Sequence, residues 1–182
     1  MTSDKYIILD RDGVINEDLW GYVTTPEQFK FIDKSLEAIK LLNDCGFKIT
    51  IATNQACINK GIISEKELGL VHEYMLKKIR AFGGDIEHIA FCPHDPKENC
   101  SCRKPEVGLL QQTEKKLNTT LKGSFFIGDK ESDIACANKY GCRPLLVKTG
   151  YGEISLESSS LPEIEGVFEN LYQAAKYIEK NI

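Results

Sequence analysis

The sequence predicts one doubly wound α/β domain over residues 1–182, built on a parallel sheet in the Rossmann manner and lacking a cap domain. Three observations predict it. Short runs rich in β-branched and aromatic residues alternate with amphipathic helical stretches along the whole chain, the pattern of right-handed βαβ crossovers. The 182 residues suit a single domain at roughly 100–200 residues per domain. Polar residues follow directly on the apolar runs, at the strand ends where parallel sheets place their ligand sites.

Each element has its own local cause. Tyr6, Ile7, Ile8 and Leu9 make a near-continuous apolar run that reads as a strand buried on both faces. Leu36, Ile39 and Leu42 recur at helical spacing, and Gly46 supplies the stop. Residues 48–52 form a second strand. Ser64 followed by Glu67 is a capping box, and it opens a long helix with Leu68, Val71, Met75, Ile79 and Phe82 on one side. Residues 88–91 and 124–127 read as the third and fourth strands, with Leu109, Leu110 and Leu117 lining a helix between them. Residues 131–140 predict a short helix ending at Gly141, and residues 144–147 a fifth strand. The last helix begins near Asn170 and carries Leu171, Ala174, Ala175 and Ile178. Residues 150–166, rich in Ser and Glu and holding Pro162, read as a surface loop. The segments 16–52 and 56–103 each contain one helix and one strand that the sheet consumes. No cap fits in either, so the site at the sheet edge is expected to be open.

Composition narrows the setting. The chain is 42% hydrophobic and 27% charged, with a formal net charge of −4. No apolar run approaches the ~20 residues needed to span a bilayer, and the first residues lack the basic start and apolar stretch of a signal peptide. A cytoplasmic protein with no membrane partner is therefore expected. The mild acidity offers no broad basic surface for nucleic acid. Seven cysteines, an odd number without an export signal, argue against a disulfide framework.

Two constellations carry chemistry. Asp10-Arg11-Asp12-Gly13-Val14-Ile15-Asn16 follows the first strand, and Gly128-Asp129-Lys130-Glu131-Ser132-Asp133 follows the fourth. Carboxylates converging at one sheet edge repel each other unless a cation sits among them. A hard cation such as Mg²⁺ takes one or two protein carboxylates with waters and phosphate oxygens, which suits this set. Thr53, the backbone N–H groups beside it and Lys104 are available as donors to phosphate. The second constellation is Cys92-x-His94-x5-Cys100-x-Cys102, three thiols and an imidazole that make a tetrahedral Zn²⁺ set. With four protein ligands the ion would be structural, stapling residues 95–99 and holding Arg103-Lys104-Pro105 in place. Cys45, Cys57, Cys136 and Cys142 read as thiols of the core or its margin, and neither His72 nor His88 receives a role.

The motifs Asp10-x-Asp12-Gly13-Val14, Thr53, Lys104 and Gly128-Asp129-x-x-x-Asp133, in that order, resemble the haloacid dehalogenase-like phosphohydrolases across essentially the whole chain. The resemblance implies that Asp10 is a nucleophile forming an aspartyl-phosphate and that Asp12 is the general acid and base. It implies that Thr53 and Lys104 bind the transferring phosphoryl group. Asp10, the backbone carbonyl of Asp12, and Asp129 are then Mg²⁺ ligands, with Asp133 one shell further out. The zinc set with Cys102-Arg103-Lys104-Pro105 resembles the branch holding the D-glycero-D-manno-heptose 1,7-bisphosphate 7-phosphatases and the histidinol-phosphate phosphatases. The stretch from Asp10 to Asn16, Gly21-Tyr22-Val23 and Gly128-Asp129-Lys130 favour the heptose enzymes. The short spacing from His94 to Cys100 keeps the histidinol alternative open.

Substrate choice is assigned to residues 18–22, Asp18, Gly21 and Tyr22 foremost, to residues 53–56, Asn54 and Gln55 foremost, and to Arg103 and Lys130. Arg103 or Lys130 suits a second, non-reacting phosphate. The expected partner is a small sugar phosphate feeding a lipopolysaccharide precursor, handled by a monomer. A non-catalytic, zinc-stapled module binding phosphorylated ligands is the alternative of another class. The presence of both Asp10 and Asp12 argues against it.

Overall fold

The computed structural model describes residues 5–181 and folds them around a six-stranded, wholly parallel sheet. The strands are β1 (Lys5–Leu9), β2 (Phe47–Asn54), β3 (His88–Cys92), β4 (Phe125–Gly128), β5 (Arg143–Val147) and β6 (Gly166–Phe168). Their spatial order is β3-β2-β1-β4-β5-β6, so the connection order reverses at β1. A crevice opens at such a switch point outside the carboxyl ends of the strands.

The helices are α1 (Ser35–Asp44), α2 (Glu65–Phe82), α3 (Gly108–Leu117), α4 (Glu131–Tyr140), α5 (Gly152–Leu156) and α6 (Leu171–Lys180). Successive strand residues point to opposite faces, and this alternation divides the core in two. Ile7, Leu9, Ile49, Ile51 and Ile127 pack with Ala38 and Ile39 of α1, Val71 and Met75 of α2 and Ala174 and Ile178 of α6. On the other face Tyr6, Ile8, Ala52 and Phe126 pack with Leu109 and Leu110 of α3 and Cys136 and Ala137 of α4. Cys92 and Cys102 join this second cluster, so the thiol-rich loop is anchored in the core. The connections 10–34, 55–64 and 93–107 hold nothing larger than two three-residue 3-10 turns, so no cap covers the strand ends. Among the described residues no helix is long and apolar enough to cross a membrane.

Two expectations need correction. Residues 150–166 are not simply a surface loop: they begin with α5, whose Ser155 is buried, and they lead into β6. The sixth strand was not foreseen because three residues, Gly166-Val167-Phe168, carry too little periodicity to read. It forms because β5 leaves an open edge that they pair with.

Helix α2 shows how local signals place an element. Ser64 Oγ accepts from the Glu67 N–H at 3.3 Å, and Glu67 Oε2 accepts from the Ser64 N–H at 2.7 Å. Ile63 and Leu68 bury their side chains in one small cluster, the hydrophobic staple of such a cap. Gly83, at φ +95°, ends the helix in the left-handed conformation. Replacing Ser64 with Ala should destabilise the fold by about 1 kcal/mol. A thermal melt should show Tm roughly 2–4 °C lower for a chain of this size.

Candidate active site

Residues at the end of β2 and just beyond the ends of β1 and β4 meet in one cleft of about 630 Å³, lined by Asp10, Asp12, Thr53, Lys104, Asp133 and others named below. The volume suits a small phosphorylated ligand. Asp10 is 4% exposed, Asp129 fully buried and Asp133 1% exposed. One carboxylate oxygen from each lies within 4.8 Å of the others. Lys104, 3% exposed, places its Nζ 2.9 Å from Asp10 Oδ1 and 2.6 Å from Asp133 Oδ1. Burial disfavours its charge, but Asp10 and Asp133 outweigh that and raise its pKa, so it is a permanent ammonium ion.

The close approach of these groups dictates glycine. A Cβ on Gly13, which sits at φ +86°, would lie 2.1 Å from Asp129 Oδ2. One on Gly128 would lie 2.2 Å from the Asp133 Cβ. Asp129 is braced by the segment after β5: Tyr151 N–H donates to its Oδ2 at 2.8 Å and Ser155 Oγ to its carbonyl at 2.9 Å. Asp129 Oδ1 is buried with no hydrogen-bond partner. Burial, with the charges of Asp10 and Asp133 and against that of Lys130, pushes the Asp129 carboxyl well above the usual carboxylate range. A buried acceptor without a donor, among carboxylates that repel each other, fits a hard divalent cation. Asp133 is occupied differently, since Oδ1 meets Lys104 and Oδ2 accepts from the Lys130 N–H at 3.0 Å.

Asp12 turns away from that cluster. Its Oδ1 accepts from Asn16 Nδ2 at 2.9 Å, and its Oδ2 from Gln55 Nε2 at 2.8 Å and Arg11 Nη2 at 2.9 Å. Burial acts to raise its pKa, but the Arg11 charge and the hydrogen bonds from Asn16, Arg11 and Gln55 overcome it and hold the carboxyl below its ordinary value.

The residues expected to choose substrate divide into two groups. Asp18, Gly21, Tyr22, Asn54, Arg103 and Lys130 all line the cleft. Gln55 does not: it is 1% exposed, and its amide donates to Asp12 and to Thr53 Oγ1, so it braces those two side chains from behind. Asn54 is committed as well, clamping the Lys104 backbone by two 3.1 Å bonds, one to its N–H and one to its carbonyl. Lys130 Nζ is held by Asp18 Oδ2 at 2.9 Å and lies 3.7 Å from Asp129 Oδ2, so its charge is largely spent within the protein. Arg103 is freer, with Nη1 donating to the His94 carbonyl at 3.2 Å.

The cleft also includes Trp20, from the 18–22 stretch assigned to substrate choice, and two residues that motif reading missed, Lys60 and Tyr151. Trp20 is 62% exposed and stands edge-on to Tyr151 at 4.4 Å, with Lys130 Nζ 4.7 Å above the Tyr151 ring. Lys60 Nζ donates to Tyr22 Oη at 3.0 Å. Only the close-set glycines of Gly150-Tyr151-Gly152 hinted at either of the two missed residues.

Beside the cleft, Cys92, His94, Cys100 and Cys102 bring three sulfurs and His94 Nδ1 together, at 3.2–3.6 Å wherever two of them are in contact. All are free thiols. Cys100 is lowered to about 7: burial opposes this, and the N–H groups of Arg103 and Cys102 with the neighbouring thiols overcome it. Four soft and borderline donors at the corners of a small tetrahedron fit Zn²⁺ with no open position.

Comparison with known proteins places the chain among phosphohydrolases. The HAD-hydrolase-like family model matches residues 101–174. The D-glycero-beta-D-manno-heptose-1,7-bisphosphate 7-phosphatase of Pseudomonas putida is 39% identical over 172 residues, covering 94% of this chain and 98% of that protein. A D-glycero-alpha-D-manno-heptose-1,7-bisphosphate 7-phosphatase from Photorhabdus laumondii is 37% identical, covering 96% and 97%. The crystal structure of D,D-heptose 1,7-bisphosphate phosphatase from B. bronchiseptica, complexed with magnesium and phosphate, superposes with TM-score 0.93 at 34% identity, covering 98% of this chain and 99% of that one.

Gly13→Ala tests the cradle. The added methyl must displace Asp129 or the backbone at an unfavourable φ, and a shift of about 1 Å can cost on the order of 10²-fold in rate. Turnover at saturating Mg²⁺ should fall by at least about tenfold while circular dichroism still reports a folded α/β protein.

Proposed function

The chain belongs to the heptose-1,7-bisphosphate 7-phosphatase family of haloacid dehalogenase-like hydrolases, and from that premise we propose that it removes the 7-phosphate of D-glycero-β-D-manno-heptose 1,7-bisphosphate through an aspartyl-phosphate on Asp10. It is a phosphoric monoester hydrolase. The observation that carries the mechanism is the buried ion pair of Lys104 with Asp10 beside the unpartnered Asp129 oxygen.

The chain's own residues account for each step. The Arg11 N–H, at 2.8 Å, and Lys104 both engage Asp10 Oδ1, so Oδ2 is the oxygen that attacks phosphorus. As that bond forms, the bond from phosphorus to the sugar oxygen breaks, and Asp12 gives its proton to the leaving alkoxide. The Asp12 carboxylate then takes a proton from water as the water oxygen attacks phosphorus. The bond to Asp10 breaks and inorganic phosphate leaves. Lys104 and the Thr53 hydroxyl hold the equatorial oxygens in both steps. Mg²⁺, when held by Asp10, Asp129 and the Asp12 carbonyl, offsets charge on those oxygens.

The remaining assignments follow from position. Lys60 and Arg103 line the cleft and are suited to the second phosphate, while Trp20 offers an apolar face to the sugar. The β anomer is taken from the P. putida relative. The chain is read as a monomer, and seven free cysteines suit a reducing compartment such as the cytoplasm. Zn²⁺ on Cys92, His94, Cys100 and Cys102 has a structural part: it pins the loop that carries Arg103 and Lys104.

Phosphate release with Mg²⁺ from both heptose bisphosphate anomers, histidinol phosphate and a polynucleotide 3′-phosphate tests the substrate. Preference for a heptose bisphosphate supports the reading, and preference for histidinol phosphate removes it while leaving the chemistry. Asp10→Asn should lower turnover roughly a thousand-fold or more while circular dichroism still reports the native fold. Unchanged phosphate release would exclude the aspartyl-phosphate. Cys100→Ser should lower Tm and reduce bound zinc from about one per chain to nearly none by elemental analysis. A zinc-free wild type would refute the metal assignment.

A further inference from the structure

We propose that His72, a helix residue outside every motif of the site, is a positioning residue for proton transfer: it holds the Arg11 guanidinium that in turn orients Asp12. The inference rests on the reading of Asp12 as general acid and base.

Arg11 is completely buried, between two residues of the reaction. A guanidinium has five N–H donors in a fixed plane and no means of becoming neutral, so a buried one must find acceptors on several sides. Its Nε and Nη2 reach Asp12 Oδ1 at 3.2 and 2.9 Å, and Nη2 also reaches Oδ2 at 2.9 Å. Its Nη1 points the other way and meets His72 Nε2 at 3.1 Å. The plane of the guanidinium is therefore set at both ends, by the carboxylate it serves and by an imidazole 61 residues away in sequence.

His72 is built for this task. It sits on α2 between core residues Val71 and Met75, is 9% exposed, and lies edge-on to Phe91 of β3 at 6.3 Å. Burial, followed by the charge of Arg11, pushes its pKa down to about 3. The imidazole is neutral at any working pH, so Nε2 is an acceptor and the ring proton is on Nδ1. A histidine that only filled core volume would do as well as phenylalanine. This one supplies the acceptor that fixes the far end of a buried cation.

The consequence is specific to proton transfer. Asp12 must be aimed at the leaving oxygen when that oxygen departs as a sugar alkoxide, a poor leaving group. A nitrophenolate departs without a proton. Orientation lost at Asp12 should therefore slow the first substrate and spare the second in the step that forms the phosphoenzyme.

The experiment compares wild type, His72→Phe and His72→Gln in Mg²⁺, measuring single-turnover leaving-group release from a heptose bisphosphate or glycerol phosphate and from p-nitrophenyl phosphate. Phenylalanine keeps the volume and removes the acceptor, whereas the glutamine amide oxygen restores an acceptor. His72→Phe should slow alcohol release about 10- to 100-fold, within the range that general acid catalysis contributes. Nitrophenol release should change less than threefold, KM should be nearly constant, and His72→Gln should recover most of the loss. Equal slowing of both substrates, no slowing, or failure of His72→Gln to recover would overturn the proposal. If His72→Phe does not fold, ¹⁵N imidazole NMR of the wild type decides: the Nδ1–H tautomer with a hydrogen-bonded Nε2 at pH 7 is expected, and an imidazolium or the opposite tautomer refutes it. A wild type that cleaves glycerol phosphate but neither heptose anomer would reject the substrate reading alone and leave the His72 comparison intact.

Discussion

Lys104 and the carboxylates around it form the constraint from which the rest of the site follows. Asp10 comes from the end of β1 and Asp133 from α4, and Lys104 Nζ touches both. Bringing buried carboxylates together costs free energy twice, in lost hydration and in mutual repulsion. One ammonium ion offsets part of that. Among the described residues Asp129 has only Lys130, at 3.7 Å, as an ion-pair partner, and one of its oxygens has no donor. The fold thus holds an arrangement that is incomplete in charge, a shortfall that a divalent cation would offset.

A lysine held this way cannot be left on a free loop. Lys104 lies in the connection between β3 and α3, whose polar stretch 95–99 has little to bury. Two tethers compensate. Asn54, at the end of β2, bonds both the N–H and the carbonyl of Lys104. Two residues earlier Cys102 enters the core cluster and, with Cys92, Cys100 and His94, closes the thiol–imidazole set. The cysteine cluster and Lys104 are parts of one device, the first giving the second a rigid base.

Asp12 poses the converse problem. In the proposed mechanism Asp12 both gives and takes a proton, and Arg11, Asn16 and Gln55 favour its ionised form. These donors favour the base that activates water, and protonation before the first step must work against them. What keeps the donors themselves aligned lies further back, in His72 behind Arg11 and in Cys57, whose thiol contacts the Gln55 carbonyl and amide oxygens at 3.7 and 3.6 Å.

Strand runs such as Tyr6–Leu9, the Ser64–Glu67 cap and the two aspartate motifs were legible because each is a local pattern with a local physical cause. By itself the sequence determined the α/β class, the two acidic strand ends and the grouping of Cys92, His94, Cys100 and Cys102. Their spacing was sufficient evidence, since strand ends of a parallel sheet converge. Tertiary structure decided what depends on distance across the fold. It turned Gln55 inward, spent Lys130 on Asp18, and brought Trp20, Lys60 and Tyr151 to the cleft. It also set His72 against Arg11. The physical reason is that a buried polar group must find its partner wherever packing brings one, and no local spacing records a contact between residues 61 positions apart.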